Sequence, residues 1–523
     1  MITTFDEARK IIHALASERA IVFAHDEEII PLDRAVGRTI RSNIHSPLST
    51  PTFDSATVDG YAVIASQTSH ASPGTPVRLR CMGVFRPGDR PIDVDDRIIA
   101  NYVTCVELHT GAPFPIVKST QRPYDAIVLR DHATILEEGG TGRLIEIVRP
   151  PLTSWHKRIA GSDFRQNEII LPRGTSVVPK HIMALASVGI RQISVNKLVQ
   201  IAIVAVGSEL TTTPIHNQAL KYQIPDADGP YLTAALREMG EQATYWGVLP
   251  SHPGVVSAFL RDKLRNENVD IIITTGDVSR GANSCLAAAL AQVGAEIHVQ
   301  GIAMQPGETA ILASLTDATF NALQPSHSPA EPSYAPDLTS IQPSPVAKPG
   351  NIGRRPPIIF AIPGSPVAAA CCFRFLITPY IRILVGMQPE QEILARVALM
   401  RSNLNTSITP STARHLNLPR SLTLTNNNFN TPTNNPPTAT AAAFLTPEAA
   451  EMVVQGSQHY DLFRHAVLRS QHDGVFVEVG WERSVAKASP FTDSNCWLHV
   501  RREQDGVRAG ETGKVYPFCP LKS

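Results

Sequence analysis

The sequence has no excess of charge of either sign, because 47 lysines and arginines balance 47 aspartates and glutamates in 523 residues. Surfaces that hold nucleic acid or an anionic membrane usually carry a marked basic excess. The balance gives no indication of either partner, and we expect no nucleic acid and no membrane. A hydrophobic content of 43% and a charged content of 18% are typical of soluble globular domains.

Cysteines are few and scattered. The seven are Cys81, Cys105, Cys285, Cys371, Cys372, Cys496 and Cys519. An odd number, with no CxxC pair and no histidine at metal-ligand spacing, argues against a disulfide framework or a thiolate metal centre. We therefore expect a reducing compartment and a cytoplasmic protein.

The sequence also shows no targeting or membrane segment. The first residues, "MITTFDEARKII", predict an amphipathic helix with acidic residues, unlike a secretory signal or an arginine-rich transit peptide. The longest apolar run, "VAAACCFRFLITPYIRILVG" from Val367, contains Arg374, Pro379 and Arg382. Charges and a proline disfavour a transmembrane span, so we expect a helix packed on a sheet.

A chain of this length exceeds what one hydrophobic core can organise, so three or four domains are expected. Two stretches, residues 321–357 and residues 402–440, are rich in proline, serine and asparagine and carry few periodic apolar residues. Such composition cannot offset the entropy lost on ordering. Both are predicted to be disordered insertions between folded regions.

Residues 199–390 alternate hydrophobic strands with amphipathic helices. The predicted strands are "VQIAIVAVG", "ATYWGVLP", "DIIITTG" and "PIIFAIPG", and the predicted helices are "YLTAALREMG", "GVVSAFLRDKLRNE", "SCLAAALAQVG" and the segment from Pro366. This alternation predicts a doubly wound parallel sheet. Short alternating runs with many turns predict a mostly β domain at 46–149, and "GVFVEVGW" and "CWLHVRRE" indicate a last β module.

Four turns in the α/β region follow strands or open helices: "AVGSEL", "IPDADGPYL", "TTGDVSRG" and "IPGSPVAA". Glycine permits a tight backbone turn there, and the free amides of a helix N-terminus favour an anion such as phosphate. Each turn taken alone is equally well explained as a plain connection. In the third, Asp277, Ser279, Arg280 and Asn283 would either hold a ligand or cap the next helix.

The order of these turns, together with motifs along the chain, resembles the MoeA family, which includes the E domain of gephyrin. The motifs are "PLDRAVGRTI", "PTFDSATVDGYAV", "TGAPFP", "KRIAGSDF", "SPFTDSNCWLHV" and "RAGETGKVYPF". The resemblance covers nearly the whole chain outside the two insertions.

The resemblance implies a multidomain α/β fold. It would comprise a small α+β linker domain at 1–45 and 150–198, a mostly β domain at 46–149, a central doubly wound MoaB/Mog-like molybdopterin-binding domain at 199–390, and a C-terminal β module at 391–523. It also implies molybdotransferase activity, in which molybdate is inserted into adenylylated molybdopterin and AMP is released, with Mg²⁺. A homodimer and a molybdopterin adenylyltransferase partner are implied as well.

Family roles carry over onto matching positions. The implied catalytic residues are Asp59, Glu209 and Asp226, and the implied metal ligands are Glu209 and Asp226. The implied substrate-binding residues are Thr110, Gly111, Pro113, Gly207, Asp228, Gly276, Ser279, Arg280, Gly281, Pro306, Gly307, Pro363, Gly364, Ser365 and Pro366. Asp59, Thr110, Gly111 and Pro113 match loops that face the partner subunit. The alternative for Asp59 and Glu209 is that they are surface or capping carboxylates.

The departures from the family pattern fall on charged positions. Family carboxylates are replaced at Ser208, Ser251, His252, Ala282 and Ser284, family lysines at Gln305 and Glu308, an arginine at Glu107 and a glycine at Asp277. Each charge-assisted bond to an oxyanion is worth about 1.5–3 kcal/mol, so losing two lysines beside molybdate would weaken its binding strongly.

Two other functions therefore stay open. One is a catalytically impaired paralogue that binds the pterin nucleotide or acts as a scaffold. The other is the related adenylyltransferase activity of MogA-like domains, which fits less well because such an enzyme is a single compact domain and leaves the flanking β regions unexplained.

Overall fold

The computed structural model describes residues 2–23, 27–90, 94–95, 102–118, 121–139, 142–212, 222–279, 284–324, 354–388, 390, 393–399, 452–471, 474–479 and 488–518. Two compact units account for the chain. One unit comprises Met1–Phe23 and Leu198–Leu521, and the other comprises Ala24–Lys197 and Lys522–Ser523.

Within the described residues the strands run in chain order as β1 (Thr3–Thr4), β2 (Glu27–Pro31), β3 (Ile44–His45), β4 (Ser55–Ala56), β5 (Gly60–Val63), β6 (Val77–Phe85), β7 (Val103–Leu108), β8 (Ile116–Val117), β9 (Arg122–Pro123), β10 (Ala126–Leu129), β11 (Ala133–Gly139), β12 (Gly142–Ile147), β13 (Lys157–Arg158), β14 (Ile169–Leu171), β15 (Gln192–Asn196), β16 (Gln200–Val206), β17 (Leu210–Thr211), β18 (Ile224–Pro225), β19 (Gln242–Leu249), β20 (Ile271–Thr275), β21 (Glu296–Gln300), β22 (Ile302–Gln305), β23 (Ile311–Ser314), β24 (Ile358–Ile362), β25 (Ile393–Leu399), β26 (Met452–Gln455), β27 (Asp461–Gln471), β28 (Gly474–Val479), β29 (Cys496–Val500), β30 (Gly506–Arg508) and β31 (Thr512–Pro517). The helices are α1 (Phe5–Phe23), α2 (Ala65–Thr68), α3 (Pro179–Ser187), α4 (Asp228–Met239), α5 (Pro253–Asn266), α6 (Cys285–Val293), α7 (Asp317–Leu323), α8 (Pro366–Cys372), α9 (Thr378–Leu384) and α10 (Ser489–Thr492), with a π-helical segment, Phe373–Ile377, joining α8 to α9.

The first unit is built on a six-stranded sheet in the order β19-β16-β20-β24-β23-β21. Its first four strands are parallel, as the alternation of strands and helices predicts. The last two, which were not among the predicted strands, are antiparallel to their neighbours and extend the sheet at this edge. Only residues 301–310 connect β21 to β23, and a parallel connection needs a crossover of about a dozen residues or more.

Helices cover both faces of this sheet. Ile271 and Ile273 pack on one face with α1, α4, α8 and α9, and Ile272 packs on the other with α5, α6 and α7. By length and composition alone, the helix Pro366–Leu384 could cross a membrane, yet 83% of its most apolar window is buried within the protein. The prediction of a helix packed on a sheet is confirmed.

Helix α1 is where the structure departs most from the predicted linker domain of residues 1–45. Phe5, Ala8, Ile12 and Ala16 are buried in the core of the α/β sheet, so residues 1–23 belong to the first unit. Their spacing makes one apolar face. An amphipathic pattern reveals that a face will be buried but not which surface will cover it.

The C-terminal module forms a closed ring of strands, β27-β28-β25-β31-β29 and back to β27. The predicted strands in "GVFVEVGW" and "CWLHVRRE" are confirmed as β28 and β29. Two strands from elsewhere extend this sheet, because β22 pairs with β27 and β1 pairs with β22. Strand β22 runs directly into Pro306 and Gly307, so the module holds one of the predicted site turns.

The first predicted insertion is shorter than expected. Asn321 lies in α7, and Arg354 donates hydrogen bonds to the carbonyl oxygens of Arg265 and Leu264, so both ends of the 321–357 stretch belong to the fold. Residues 325–353 lie outside the described residues, as does the whole of the second predicted insertion, 402–440.

The second unit confirms the mostly β character predicted for residues 46–149. It contains a six-stranded sheet in the order β10-β5-β7-β6-β12-β11, with apolar clusters on both faces. A smaller core around Ile40 and Leu185 joins β2, β15 and α3, as an α+β linker requires. The exact domain boundaries stay predictions.

Candidate functional site

Three of the four predicted turns meet at the carboxyl edge of neighbouring parallel strands. Gly276 follows β20, and its amide donates a hydrogen bond to the Ile362 carbonyl at the end of β24, at 3.0 Å. A Cβ at Gly276 would lie 2.2 Å from the Val206 oxygen, and one at Gly364 would lie 2.8 Å from the Gly276 Cα. The backbones approach too closely for side chains, so this edge presents backbone groups, which suits a phosphate-bearing ligand.

The third turn has aspartate, not glycine, at the position after Gly276. Asp277, which replaces a family glycine, has φ 49°, in the left-handed region that glycine adopts most easily. Aspartate tolerates this conformation better than most residues, because its short polar side chain can bond locally. The backbone shape of the turn is therefore kept without the glycine.

The opposite end of the same turn is a helix cap. Ser284 accepts a hydrogen bond from the Ala287 amide at 3.3 Å and donates one to the Asp277 carbonyl at 3.2 Å. Serine at a family aspartate position thus caps α6. Ser279 is exposed, while Arg280, Gly281, Ala282 and Asn283 lie outside the described residues, so the predicted contacts of Arg280 and Gly281 stay predictions.

The predicted metal ligands Glu209 and Asp226 come from two short parallel strands. Pairing of β17 with β18 lets the Ile224 amide donate to the Glu209 carbonyl at 2.8 Å, and the Asp226 amide to the Thr211 carbonyl at 3.1 Å. The Glu209 side chain is exposed and closes over Gly207, where a Cβ would lie 2.9 Å from a carboxylate oxygen. The fold therefore brings these two segments side by side.

Both oxygens of Asp226 are engaged within the protein. Oδ1 accepts from the amides of Asp228 at 3.1 Å and Gly229 at 3.3 Å, and Oδ2 accepts from the Tyr245 hydroxyl at 2.6 Å. A carboxylate bonded to the first amides of α4 is a helix cap. Sequence reasoning considered a capping role for Asp59 and Glu209 rather than for Asp226, and it missed Tyr245 because no local motif marks that residue.

Asp228 is the most unusual ionisable group of this region. It is only 4% exposed. Burial, together with the nearby Asp226 charge, raises the pKa of the Asp228 carboxyl to about 7. Its role in substrate binding stays a prediction, and the structure places it as a buried residue in the first turn of α4.

The carboxylates fit a Mg²⁺ ion only in part. No group of three or more histidine, cysteine, aspartate or glutamate side chains suited to a metal occurs within the residues that the structure describes. Mg²⁺ is commonly held by one or two carboxylates together with substrate phosphates. Glu209 offers an exposed carboxylate for this arrangement, whereas Asp226 already uses both oxygens.

The turn at Pro306 and Gly307 keeps its shape but presents no lysine. Gly307 has φ 120°, and a Cβ there would lie 2.8 Å from the Cys372 sulfur, at the end of α8. Cys372, the last residue of α8, lies about 9 Å along the helix axis from Pro366, the first residue, because an α-helix rises about 1.5 Å per residue. At the flanking family lysine positions, Gln305 is exposed and Glu308 is half-buried.

The fourth turn opens a helix, as predicted. Ser365 accepts the Ala369 amide through its carbonyl at 2.9 Å, and Pro366 occupies the first turn of α8, where its missing amide costs nothing. Pro363 and Gly364 complete the connection from β24. The predicted frame of the turn is confirmed, while its ligand role stays a prediction.

In the second unit, the predicted partner-facing residues form one loop cluster. Asp59 Oδ1 accepts from the Thr110 amide at 2.7 Å and the Thr110 hydroxyl at 2.8 Å, and these bonds lower the pKa of the Asp59 carboxyl. Gly111 has φ 85° and donates to the Ala56 carbonyl at 2.7 Å. Pro113 forms an isolated antiparallel β-bridge with Ser55. The fold thus positions Asp59 by hydrogen bonds rather than leaving it a free surface carboxylate.

Glu107, which stands at a family arginine position, is buried between two arginines. Its side chain pairs with Arg130 and, at 2.6 Å, with Arg143, which also donates to the Tyr61 hydroxyl at 3.1 Å. Sequence reasoning identified the charge change at Glu107 but not these partners. The reversal of charge at this position is therefore compensated inside the β sheet.

Comparison with known families divides the chain into two matched regions. Residues 3–189 match the model of the MoeA N-terminal region, domains I and II, and residues 202–383 match that of a probable molybdopterin binding domain. Together the two regions cover more than half of the chain.

Two curated relatives are named molybdopterin molybdenumtransferase. A molybdopterin molybdenumtransferase of Haemophilus influenzae is 23% identical over 99% of both chains, and one of Synechococcus elongatus is 26% identical over 60% of this chain and 72% of its own. A crystal structure of the molybdopterin biosynthesis moeA protein from Pyrococcus horikoshii shares the fold with a TM-score of 0.64 and 18% identity, covering 98% of this chain and 99% of that one. With both matched regions in the order of the motifs and the fold in common, the chain belongs to the MoeA family.

Proposed function

We propose that this protein is a molybdopterin molybdotransferase of molybdenum cofactor biosynthesis, which inserts molybdate into adenylylated molybdopterin and releases AMP. The observation that carries the proposal is the meeting of Gly207, Gly276 and Gly364 at one sheet edge within the region matched to a molybdopterin binding domain. The Haemophilus influenzae relative, which bears the name molybdopterin molybdenumtransferase and matches 99% of this chain, supports it.

The pterin nucleotide is proposed to bind at this glycine edge. Its pyrophosphate would lie against the backbone of the turns that follow β16, β20 and β24, where the close approach of the glycines leaves no room for side chains. Glu209 would hold Mg²⁺ together with the phosphates, and a bound divalent cation neutralises the charge that develops on the departing phosphate. Asp226 orients the start of α4 through its bonds to the amides of Asp228 and Gly229.

The side of the site that would hold molybdate lacks the family lysines. Molybdate, a dianion, needs positive or amide donors, yet the family lysine positions hold Gln305 and Glu308. This observation favours a second candidate function, a protein that holds the pterin nucleotide without transferring metal to it. Ser208 and Ser251, in place of carboxylates, point the same way.

We further propose a cytoplasmic homodimer, in which the Asp59–Thr110 cluster of one protomer faces the α/β unit of its partner and a molybdopterin adenylyltransferase supplies the substrate. The support is the family assignment and the hydrogen-bonded shape of that cluster. Size-exclusion chromatography with light scattering, with and without the pterin nucleotide, tests the dimer directly. A monomer at micromolar concentration would overturn this part.

The decisive experiment measures AMP release from adenylylated molybdopterin by the full chain with Mg²⁺, with and without molybdate, beside direct binding of the nucleotide. Molybdate-dependent AMP release is expected, and Glu209→Gln is expected to slow it. A matched control is Glu296→Gln, an exposed glutamate on the edge strand β21. Binding without release would favour the second candidate function, and absence of binding would overturn both.

A further inference from the structure

Two cysteines of the second unit, far apart in sequence, lie directly opposite each other in its sheet. Strands β6 and β7 are parallel neighbours, and their register pairs Cys81 with Cys105. Cα atoms of neighbouring strands lie about 4.8 Å apart, and opposed side chains project from the same face. This spacing falls within the roughly 4.4–6.8 Å range that a disulfide spans.

The two thiols have unlike surroundings. Cys105 is fully buried, and burial raises the pKa of its thiol well above the usual value. Cys81 is 7% exposed, and its thiol donates to the Gly83 carbonyl at 3.4 Å. Interaction with the facing Cys105 thiol lowers the pKa of Cys81 to about 7, and the positive charge of Arg143 acts in the same direction. Arg143 lies opposite Cys81 on the other neighbouring strand, β12.

The other described cysteines show the contrasting case. Cys285, Cys371, Cys372 and Cys496 are free and buried, as Cys81 and Cys105 are, but burial raises the pKa values of all four thiols, in contrast to that of Cys81. Cys371 and Cys372 are sequence neighbours on one helix, where adjacent side chains point away from each other. Among the described residues, Cys81 and Cys105 alone pair across two strands and differ in acidity.

We propose that Cys81 and Cys105 form a peroxide-reactive dithiol, in which Cys81 attacks the peroxide and Cys105 resolves the product as a disulfide. In the first step the Cys81 thiolate attacks one oxygen of hydrogen peroxide. The O–O bond breaks, a sulfenic acid forms on Cys81, and the departing hydroxide takes a proton to become water. In the second step Cys105 sulfur attacks the sulfenic sulfur, its proton leaves with the hydroxyl group as water, and the S–S bond forms. The two thiols lose two electrons in all, and the peroxide gains them.

Position within the sheet gives the disulfide a local consequence. Glu107 follows Cys105 by two residues on the same face of β7 and pairs with Arg143. Oxidation removes the thiolate that Arg143 faces and fixes β6 to β7 just before the His109–Thr110 turn. The oxidised form is therefore expected to open less readily at this end of the sheet, which is measurable as slower amide hydrogen exchange of β6 and β7.

The test treats the full chain with hydrogen peroxide at neutral pH and follows intact mass and digested peptides. Wild type is expected to lose two hydrogens and to yield a peptide that joins Cys81 to Cys105. Cys105→Ser is expected to gain one oxygen on Cys81 instead, and Cys81→Ser is expected to do neither. Cys496→Ser, which removes a buried strand thiol of the other unit, is the matched control and should behave as wild type.

A second measurement needs no variant. The rate at which iodoacetamide labels each cysteine of the wild type is followed against pH, peptide by peptide. Labelling of Cys81 is expected to rise with a midpoint near pH 7, well below the midpoint of Cys496. A Cys81 that is labelled no faster than Cys496, or a peroxide product that joins other cysteines, would overturn the proposal.

Discussion

Ser208 and Ser251 are joined by a reciprocal pair of hydrogen bonds. The Ser208 amide donates to Ser251 Oγ at 3.3 Å, and the Ser251 amide donates to Ser208 Oγ at 3.1 Å. The two residues follow the neighbouring parallel strands β16 and β19, and both stand where the family pattern has carboxylates. Carboxylates could also accept from these amides, but two of them facing each other would repel, and the neutral serine hydroxyls avoid that repulsion. The replacements of two family carboxylates by Ser208 and Ser251 thus belong to one structural change, because each serine bonds to the other.

We predict that Ser251→Ala lowers the free energy of unfolding by about 0.5–1.5 kcal/mol, the usual worth of a hydrogen bond. The reason is that Ser208 loses its acceptor while the turn stays exposed to water. Urea unfolding checks the value. Ser470→Ala, at an exposed serine in β27 of the same unit, is the control and should cost less. Equal costs would mean that the pair contributes nothing.

Gly276→Ala is expected to destabilise the first unit by at least about 2 kcal/mol, because it adds a Cβ 2.2 Å from the Val206 oxygen to a residue with φ 81°. Gly247→Ala separates the two causes, since Gly247 has φ 95° but open space around the added Cβ. The control should therefore cost only the roughly 1–2 kcal/mol of the left-handed conformation. Thermal and urea unfolding of both variants measure the difference. A smaller loss of stability in Gly276→Ala than in Gly247→Ala would contradict the close approach of Gly276 to Val206.

The stability of the first unit should fall as pH rises from about 4 to about 7. The pKa of Asp228 is raised from 3.8 to about 7 in the folded chain, so the folded state holds this proton more tightly than the unfolded state. Wherever the folded state binds more protons, the free energy of unfolding decreases with pH. Each pKa unit corresponds to about 1.36 kcal/mol, so the loss amounts to a few kcal/mol.

Asp228→Asn removes this dependence. The variant should be closest to wild type near pH 4 and more stable than wild type near pH 8, as urea unfolding across this range will show. Asp262→Asn, which removes an exposed carboxylate of α5, should keep the wild-type slope. If Asp228→Asn keeps that slope too, the buried carboxyl is not the cause.

Glu107→Gln is expected to cost the second unit roughly 2–4 kcal/mol. Removing one partner of a buried ion pair leaves charge uncompensated, which costs about 3–5 kcal/mol when both partners are fully buried, and here the arginines are partly exposed. Unfolding followed by Trp155 fluorescence reports on this unit. Glu137→Gln, at an exposed position of β11, is the control and should stay within about 0.5 kcal/mol of wild type.

The double variant Gln305→Lys with Glu308→Lys restores the family cations. If molybdate binds beside this turn, its KM should fall by at least roughly 10-fold, the equivalent of one charge-assisted bond of about 1.5 kcal/mol, and by more than about 100-fold if both lysines bind it. Steady-state AMP release against molybdate concentration measures the change. Glu296→Lys adds a positive charge on β21 and should have no comparable effect, and an equal effect would indicate only long-range attraction.

Much of the site frame could be predicted from the sequence because it depends on local pattern. Strands β16, β20 and β24 are continuous apolar runs, and the glycines that end them mark turns that few other residues can make. The sequence places Gly276 and Gly364 in turns at the carboxyl ends of strands, and both lie there, while their ligand role stays a prediction. The departures at Ser284 and Asp277 were also visible, although only the structure shows that Ser284 caps α6 and that Asp277 takes the left-handed conformation.

The sequence by itself determined the alternation of strands and helices, the turns at their ends and the family motifs, because periodicity and turn chemistry act over a few residues. Tertiary structure alone decided that α1 packs on the α/β sheet, that β22 joins the C-terminal ring, that Ser208 meets Ser251, and that Cys81 lies opposite Cys105. These contacts join segments far apart in the chain, and they depend on which apolar surfaces cover each other and which strands pair. No local pattern encodes that choice, because several pairings would bury the same faces and only their combined packing selects one.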